Sequence, residues 1–115
     1  MMSPFYESCY KVLKKVPKGE VTTYREIARA LNSKAYRAVG SAMHNNPYAF
    51  PAARGRAGGQ ISNADLVPCH RVINSNGSVG GFFSGAKDKI KLLKSEGVEV
   101  INNKIDLKKY FYRLK

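Results

Sequence analysis

The segment TYREIARALNSKAYRAVGSAMHNN (residues 23–46) predicts two short helices joined by a tight turn. Thr23 and Glu26 have the spacing of a capping box, in which a threonine and a glutamate three residues later satisfy free backbone groups at a helix start. The first helix stops at the Asn-Ser pair 32–33, and a second helix is expected over about 34–45. Two short helices in a strongly basic chain favour a helix-turn-helix over about 23–46.

The second predicted helix carries small side chains that lie close together, among them Ala38, Gly40, Ser41 and Ala42. A helix so poor in long side chains reads base edges badly in the wide major groove of DNA. It could enter a narrower groove with Arg37 projecting, or it could pack tightly against the first helix. The residues of the helix leave these two alternatives open.

The charge of the chain is strongly positive. Its 115 residues include 20 lysines and arginines against 8 aspartates and glutamates, which gives a net charge of +12. Such an excess favours an anionic partner, either nucleic acid or a membrane surface. No apolar run approaches the ~18 residues of a membrane-spanning helix, and no secretory leader is recognisable. We expect a cytoplasmic monomer that associates with DNA rather than with a membrane and whose cysteines stay reduced.

The rest of the pattern predicts a single domain over 1–115, mainly α-helical with small β elements. A first helix starts at Pro4 and places Cys9 on its inward face, and a last helix over about 86–96 ends at a glycine. A small hairpin is expected where VEVI and KIDL flank an Asn-Asn pair. Residues 48–65 have no sustained period, so we expect a loop there.

The stretch VPCHRVINSNG (residues 67–77) places a cysteine and a histidine side by side. Its apolar residues predict a buried strand over about 66–73. A cysteine nucleophile needs thiolate character, which a nearby base can supply. Because adjacent residues of a strand point to opposite faces, His70 can act on Cys69 only if the backbone leaves extended geometry or a water relays the proton. Glu96 is the candidate to orient the imidazole.

Cysteine and histidine can also bind zinc. The candidate ligands in this chain are Cys9, Cys69, His44 and His70. They lack the paired spacing of a structural zinc site. We therefore expect no metal and no cofactor.

Several ordered motifs resemble one known family. PCHRVI, preceded by RAVGSAMHNNP and followed by GSVGG and LLKSEG, resembles the O6-alkylguanine-DNA alkyltransferases, also called methylated-DNA–protein-cysteine methyltransferases. The resemblance runs from VPKGEVTTYREIA to SEGVEV, and it implies the family's C-terminal catalytic domain alone, with a winged-helix-like helix-turn-helix. It also implies direct repair, in which an alkylated guanine rotates out of the duplex and its O6-alkyl group passes irreversibly to a cysteine.

The resemblance implies a role for each catalytic position. Cys69 would accept the alkyl group, His70 would form its thiolate through a water, and Glu96 would orient His70. Tyr24 would assist the guanine leaving group and rotate the phosphate, and Asn46 would brace the active-site turn.

The resemblance also implies a DNA contact and a substrate pocket. Arg37 would fill the gap left by the flipped base, while the small-residue helix enters the minor groove of double-stranded DNA containing O6-alkylguanine. The expected DNA-contacting residues are Arg37, Ala38, Ser41, Ala42, Tyr36, Arg25, Lys34 and Arg71. The expected pocket residues are Phe82, Phe83, Ser84, Val67, Pro68 and Met43.

The chain departs from the family pattern in three places. Residues 48–65 read as an insertion between the two proline motifs at Pro47 and Pro68. The pocket segment reads Phe-Phe-Ser at 82–84, where tyrosine and serine are usual in the family. Tyr36 stands where a small residue is usual, which adds bulk next to the intercalating arginine.

Two other functions compete with alkyl transfer. The alkyltransferase-like relatives bind and flip alkylated guanine and recruit excision repair, but they lack the acceptor cysteine that is present here as Cys69. A basic module that binds DNA without regard to damage would explain the charge. That module would leave the PCHR motif without an explanation.

Overall fold

A computed structural model of the protein describes residues 4–44, 67–81 and 85–114. The helices are α1 (Pro4–Leu13), α2 (Tyr24–Ala30), α3 (Tyr36–His44), α4 (Ala86–Ser95) and α5 (Leu107–Tyr110). Two short strands, β1 (Thr22–Thr23) and β2 (Val72–Ile73), pair in parallel. The expected mainly α-helical fold with small β elements is confirmed. No helix among the described residues has the length and apolar character needed to cross a membrane.

The helix-turn-helix is present, and of the expected capping box the hydrogen bond to Thr23 is confirmed, whereas the Glu26 carboxylate binds other partners. The Oγ1 atom of Thr23 accepts a hydrogen bond from the backbone N–H of Glu26 at 3.0 Å. The carboxylate of Glu26 binds the guanidinium of Arg29 and accepts the backbone N–H of Leu114 at 2.7 Å. Glu26 therefore ties the C-terminal segment to α2, and its hydrogen bond from Arg29 lowers the pKa of its carboxyl group.

The second helix begins at Tyr36, two residues later than the sequence predicts. Asn32 adopts a left-handed backbone conformation with φ of 55°, which asparagine tolerates better than most residues. The hydroxyl of Ser33 then accepts the backbone N–H of Ala35 at 3.0 Å. This local bond holds the chain in the turn and delays the start of α3.

The core consists of two buried clusters on either side of the small sheet. The first lies among α1, α2 and α3 and includes Val72, and the second lies against α4 and includes Ile73. Adjacent residues of a strand point to opposite faces, so β2 contributes one side chain to each cluster. Cys9 is fully buried in the first cluster, as expected, and burial raises the pKa of its thiol to about 11.

The expected hairpin is reduced to a tight turn with a single β-bridge. Asn102 and Asn103 both have positive φ, and the backbones of Ile101 and Lys104 are joined by two hydrogen bonds of 2.9 Å. Such a pair of positive φ angles is typical of two-residue hairpin turns. The second predicted strand does not continue, because the carboxylate of Asp106 accepts the backbone N–H of Lys108 and caps α5.

Candidate active site and DNA-binding face

Cys69 lies on a 3-10 turn, and the expected strand over 66–73 is wrong for most of its length. The turn covers Cys69–Arg71, and extended structure is limited to Val72–Ile73. The backbone N–H of Cys69 donates to the carbonyl of Val67 at 2.8 Å, and that of Arg71 donates to the carbonyl of Pro68 at 3.0 Å. These bonds replace the ladder that a strand would form. The backbone therefore leaves extended geometry at the cysteine, which is one of the two alternatives drawn from the sequence.

His70 is hydrogen-bonded to Glu96, as the sequence predicts. The Nε2 atom of His70 lies 3.0 Å from Oε2 of Glu96, and both side chains are buried. Glu96 is the residue that follows the last turn of α4, where its own N–H caps the helix, and the left-handed Gly97 then ends the helix. The packing of α4 beside the 3-10 turn thus brings together two side chains that are 26 residues apart.

Arg71 completes a three-residue network with His70 and Glu96. Its guanidinium donates two hydrogen bonds to the Glu96 carboxylate, at 2.9 and 2.7 Å, and a third to the carbonyl of Val16 at 2.9 Å. Such a paired geometry fits an arginine better than any other cation. Arg71 was expected to contact DNA, and the structure contradicts this, because the side chain is buried and its guanidinium is engaged inside the protein.

The network fixes the protonation state of His70. Burial alone would raise the pKa of Glu96, but hydrogen bonds from Arg71 and His70 outweigh it and lower that pKa to about 2. Burial lowers the pKa of His70, although its bond to Glu96 acts in the opposite direction. At neutral pH an ionised Glu96 must accept a proton from Nε2 of a neutral His70. The lone pair of His70 is then on Nδ1, which can accept a proton.

Lys89 is a buried cation near the cysteine that the sequence analysis missed. Its side chain is completely buried, and its Nζ atom lies 5.7 Å from the ring centre of Tyr24 and 3.3 Å from the carbonyl of Gly81. Burial lowers the pKa of Lys89 to about 8, and the charge of the Cys69 thiolate opposes this shift. Burial likewise raises the pKa of Tyr24 to about 12, with a further contribution from Cys69. Lys89 and Tyr24 therefore both lie within electrostatic range of the cysteine.

A signal for Lys89 was present in the helix pattern. Lys89 lies four residues before Leu93, so the two side chains share one face of α4. The structure buries Lys89 together with Leu93 and leaves Ile90 half-buried. A lysine at a core position of an amphipathic helix is costly to bury, and such positions are often functional.

The exposed surface of α3 carries the residues expected to meet DNA, with one exception. Arg37, Ser41 and Tyr36 are exposed, and Ala38 is half-buried. Ala42 was expected on this face, but it is fully buried, and its carbonyl accepts the hydroxyl of Tyr10 at 2.7 Å. The expectation for Ala42 is therefore wrong. Helix α3 packs against α1 through this side while its opposite side remains accessible.

The other expected residues divide between exposed, buried and undescribed positions. Arg25 is exposed near the start of α2, and Lys34 is exposed just before the start of α3. Met43 and Val67 are buried in the same cluster as Cys69, and Pro68 is buried immediately before it. Asn46, Phe82, Phe83, Ser84 and the loop 48–65 lie outside the described residues. Within the described ranges, no group of three or more histidine, cysteine, aspartate or glutamate side chains is arranged to hold a metal ion.

Comparison with known proteins identifies the family. The family model for the DNA-binding domain of 6-O-methylguanine DNA methyltransferase matches residues 4–98. The chain belongs to this family. The match includes α1, the helix-turn-helix, the 3-10 turn with Cys69, and the Glu96 that binds His70.

Several curated relatives of this chain are longer than the chain itself. The chain is 44% identical over 94 residues to a methylated-DNA–protein-cysteine methyltransferase of Methanosarcina acetivorans, and the match covers 81% of this chain and 51% of that protein. It is 37% identical over 106 residues to a bifunctional methyltransferase/endonuclease of Picrophilus torridus, covering 91% of this chain and 30% of that one. The chain thus spans about half or less of the length of these curated relatives.

Solved structures of the family share the fold of this chain. The structure of S. pombe Atl1 bound to damaged DNA containing O6-carboxymethylguanine matches with a TM-score of 0.75 and 30% identity, over 98% of both chains. Mycobacterium tuberculosis OGT in complex with DNA matches with a TM-score of 0.66 and 34% identity, over 84% of this chain and 51% of that one. The helix-turn-helix and the Cys69 turn of this family member therefore belong to a fold seen in two DNA complexes.

Proposed function

We propose that this chain repairs alkylated DNA directly by moving the alkyl group of O6-alkylguanine onto Cys69. The observation that carries this proposal is the 3.0 Å hydrogen bond between His70 and Glu96, beside a cysteine on the family's motif. A neutral histidine with its lone pair on Nδ1 is the state required of a base that takes a proton from a thiol. Membership of the family and the names of the curated methyltransferases support the same reaction.

The proposed reaction needs no cofactor. The thiol of Cys69 gives its proton through a water to His70, and the thiolate sulfur attacks the alkyl carbon. The bond between that carbon and O6 breaks, and its electron pair leaves with the guanine. The leaving guanine takes a proton from Tyr24, the Tyr24 phenolate regains a proton from solvent, and His70 returns the proton of the thiol to solvent, so the protons balance. The resulting thioether is stable, which makes each molecule act once.

Lys89 would stabilise the Cys69 thiolate and the Tyr24 phenolate in this scheme. A protonated amine near the sulfur favours the thiolate, because an opposite charge at short range stabilises the ionised form. The same cation lies over the ring of Tyr24, at 5.7 Å from its centre. Since burial holds the pKa of Lys89 near 8, the amine is mostly protonated at neutral pH but can also give up its proton.

The proposed partner is double-stranded DNA, entered from the minor groove with the damaged base flipped. The exposed side of α3 supports this, because small residues there allow close approach and Arg37 projects from the helix. Arg25 and Lys34 would contact phosphates, and Arg37 would take the place of the flipped base in the stack. The alkylated guanine must leave the stack, since its O6 substituent is out of reach within the duplex.

The match to Atl1 supports a second candidate function. That structure is bound to DNA containing O6-carboxymethylguanine, and it is matched over 98% of both chains. This chain could likewise bind the lesion without removing the alkyl group and mark it for excision repair. Cys69 distinguishes the two functions, because a protein that only binds the lesion has no need of an activated thiol.

Incubation with an oligonucleotide duplex containing O6-methylguanine, followed by intact-mass and peptide analysis, tests the proposal. We expect a methyl-sized gain located on Cys69, and none in Cys69→Ser. Cys9→Ala is the matched control, because Cys9 is the other buried thiol and its raised pKa keeps it protonated. Tight and lesion-specific binding with an unmodified Cys69 would instead establish the second candidate.

A further inference from the structure

A groove of about 560 Å³ lies between α2, the turn that follows it and the C-terminal segment. Its lining combines two aromatic side chains, Tyr36 and Phe111, with three cationic ones, Arg25, Arg29 and Lys34. We call it the aromatic groove. The chemistry proposed above does not use its aromatic side chains, whereas its cations Arg25 and Lys34 are among the residues proposed to contact DNA phosphates.

The aromatic groove has an excess of positive charge. Its lining includes one carboxylate, that of Glu26, and two hydrogen bonds of 2.7 and 2.8 Å pair this carboxylate with Arg29. Arg25 and Lys34 remain, and within the part of the chain that the structure describes neither forms an ion pair. Two exposed cations without a carboxylate partner favour an anionic occupant.

Phe111 is held in place as a platform at one side of the aromatic groove. The backbone of Val21 donates to the carbonyl of Tyr110 at 2.8 Å and accepts the N–H of Tyr112 at 2.7 Å, which forms a parallel bridge to Phe111. Tyr110, the last residue of α5, is buried in the core, whereas Phe111, which follows it at the bridge, faces outward. Phe111 is 37% exposed on a backbone that the bridge fixes.

Exposed aromatic rings are rare enough in this chain to be informative. Among the described residues the large hydrophobic side chains that are exposed are Tyr36, Ile101 and Phe111. The two aromatic ones line the same groove, while Ile101 lies elsewhere beside Lys104. Aromatic rings next to exposed cations are the combination with which proteins bind unpaired nucleotides, whose bases stack on the rings and whose phosphates meet the cations.

The aromatic groove adjoins the face proposed to meet DNA. A neighbouring cavity of about 420 Å³ is lined by Tyr24 and Asn74, and it shares Arg25, Tyr36 and Ser75 with the groove. A DNA strand that leaves α3 along this cavity therefore reaches the aromatic groove. The bases of a duplex are paired and stacked in its interior. A base can therefore stack on Phe111 only where the strand in the aromatic groove is unpaired.

We infer that the aromatic groove binds an unpaired stretch of DNA that continues one strand of the duplex held by α3. Arg25 and Lys34 contact its phosphates, and a base stacks against Phe111 and Tyr36. This surface would favour lesions near a strand end, a gap or a fork over lesions in continuous duplex. The inference rests on the proposed DNA binding, and it adds the structure of the preferred DNA.

The test compares a blunt duplex with the same duplex carrying a short unpaired overhang on the 3′ or the 5′ side, all without a lesion. Fluorescence anisotropy gives the affinities, and a 2-aminopurine in the overhang reports stacking through quenching. We expect the unmodified protein to bind one of the overhang duplexes at least about fivefold more tightly than the blunt one. We expect Phe111→Ala to lose this gain and the quenching, and Phe111→Tyr to keep both.

Ile101→Ala is the matched control, because it removes the other exposed large apolar side chain outside the aromatic groove. It should retain the full gain. An abasic overhang should keep only the part of the gain that the phosphates supply. Equal affinities for blunt and overhang duplexes, or an equal loss in Phe111→Ala and Ile101→Ala, would overturn the inference and leave the proposed repair function untouched. Failure to bind any of the duplexes would count against both.

Discussion

The Nε2 atom of His70 and the Oε2 atom of Glu96 lie 3.0 Å apart, with both side chains buried. Arg71 holds the same carboxylate through two further hydrogen bonds. The carboxylate is therefore kept ionised and fixed in position, and it sets the tautomer of the histidine beside Cys69. In the proposed reaction Glu96 would act through His70, as a positioning residue.

Glu96→Gln should slow alkyl transfer by about a hundredfold, because the amide no longer stabilises a protonated His70. It should also lower the free energy of unfolding by about 3 kcal/mol, since it leaves the buried Arg71 without its ion pair. Single-turnover transfer rates over a range of pH and urea unfolding measure the two effects. Glu99→Gln, which changes an exposed carboxylate, is the matched control. A rate loss that is the same at every pH would indicate a purely structural role.

The lowered pKa values of Glu96 and His70 predict how stability depends on pH. Folding lowers the pKa of Glu96 from 4.5 to about 2, so in the pH range between these values the folded state binds fewer protons than the unfolded state. The stability that Glu96 supplies is thus complete above pH 4.5 and is lost as the pH falls towards 2. His70 adds a loss that begins below 6.5, because its pKa is also lowered. Urea midpoints of Glu96→Gln should vary less with pH than those of the unmodified protein.

Lys89→Met should make the protein more stable and less active. The pKa of Lys89 falls from 10.5 to about 8 on folding, so the folded state binds fewer protons and stability rises as the pH increases through that window. Removing the buried amine should therefore stabilise the fold at pH 7 by on the order of 2 kcal/mol. Loss of its charge should slow the reaction of Cys69 with iodoacetamide and shift the pH dependence of that reaction upward. Lys91→Met, at an exposed position of the same helix, should change neither property.

Arg37→Ala should reduce alkyl transfer much more than it reduces binding to undamaged duplex. The chain has many cations that can meet phosphates, so the loss of one changes overall affinity little. A flipped base, by contrast, leaves one gap in the stack for Arg37 to fill. We expect at least about a tenfold lower transfer rate, with less than a threefold change in anisotropy-measured affinity as a rough estimate. Lys94→Ala on α4 is the control for loss of one exposed charge, and equal losses in rate and affinity for Arg37→Ala would contradict the assigned role.

Arg71→Met should destabilise the protein without changing how its DNA affinity depends on salt. The guanidinium binds Glu96 and the carbonyl of Val16, so its removal leaves a buried carboxylate without its main partner. We expect a lower urea midpoint and an unchanged slope of log affinity against log salt concentration. A shallower slope at full stability would restore Arg71 to the DNA contact that the sequence suggested.

Local signals in the sequence were sufficient for much of the framework. The Thr23 cap, the inward position of Cys9 and the stop at Gly97 each depend on neighbours within about one helical turn. Glu96 was a candidate partner for His70 from the residues, and the family resemblance implied the same pairing across the 26 residues that separate them. The expected DNA contacts of Ala42 and Arg71 were wrong. Residue type and spacing do not show which face of a helix, or which arginine, the neighbouring elements bury.

The sequence by itself determined the helix-turn-helix, the family motifs around Cys69 and the charge that favours DNA, because these are properties of local spacing and composition. Tertiary structure alone decided the 3-10 turn at Cys69, the burial of Lys89 and the ion pair of Arg71 with Glu96. The last two depend on α4 packing beside the 3-10 turn. That packing brings together residues far apart in the sequence. The burial of charged side chains there depends on whether their pairing offsets the cost of removing them from water, and neither segment alone shows this.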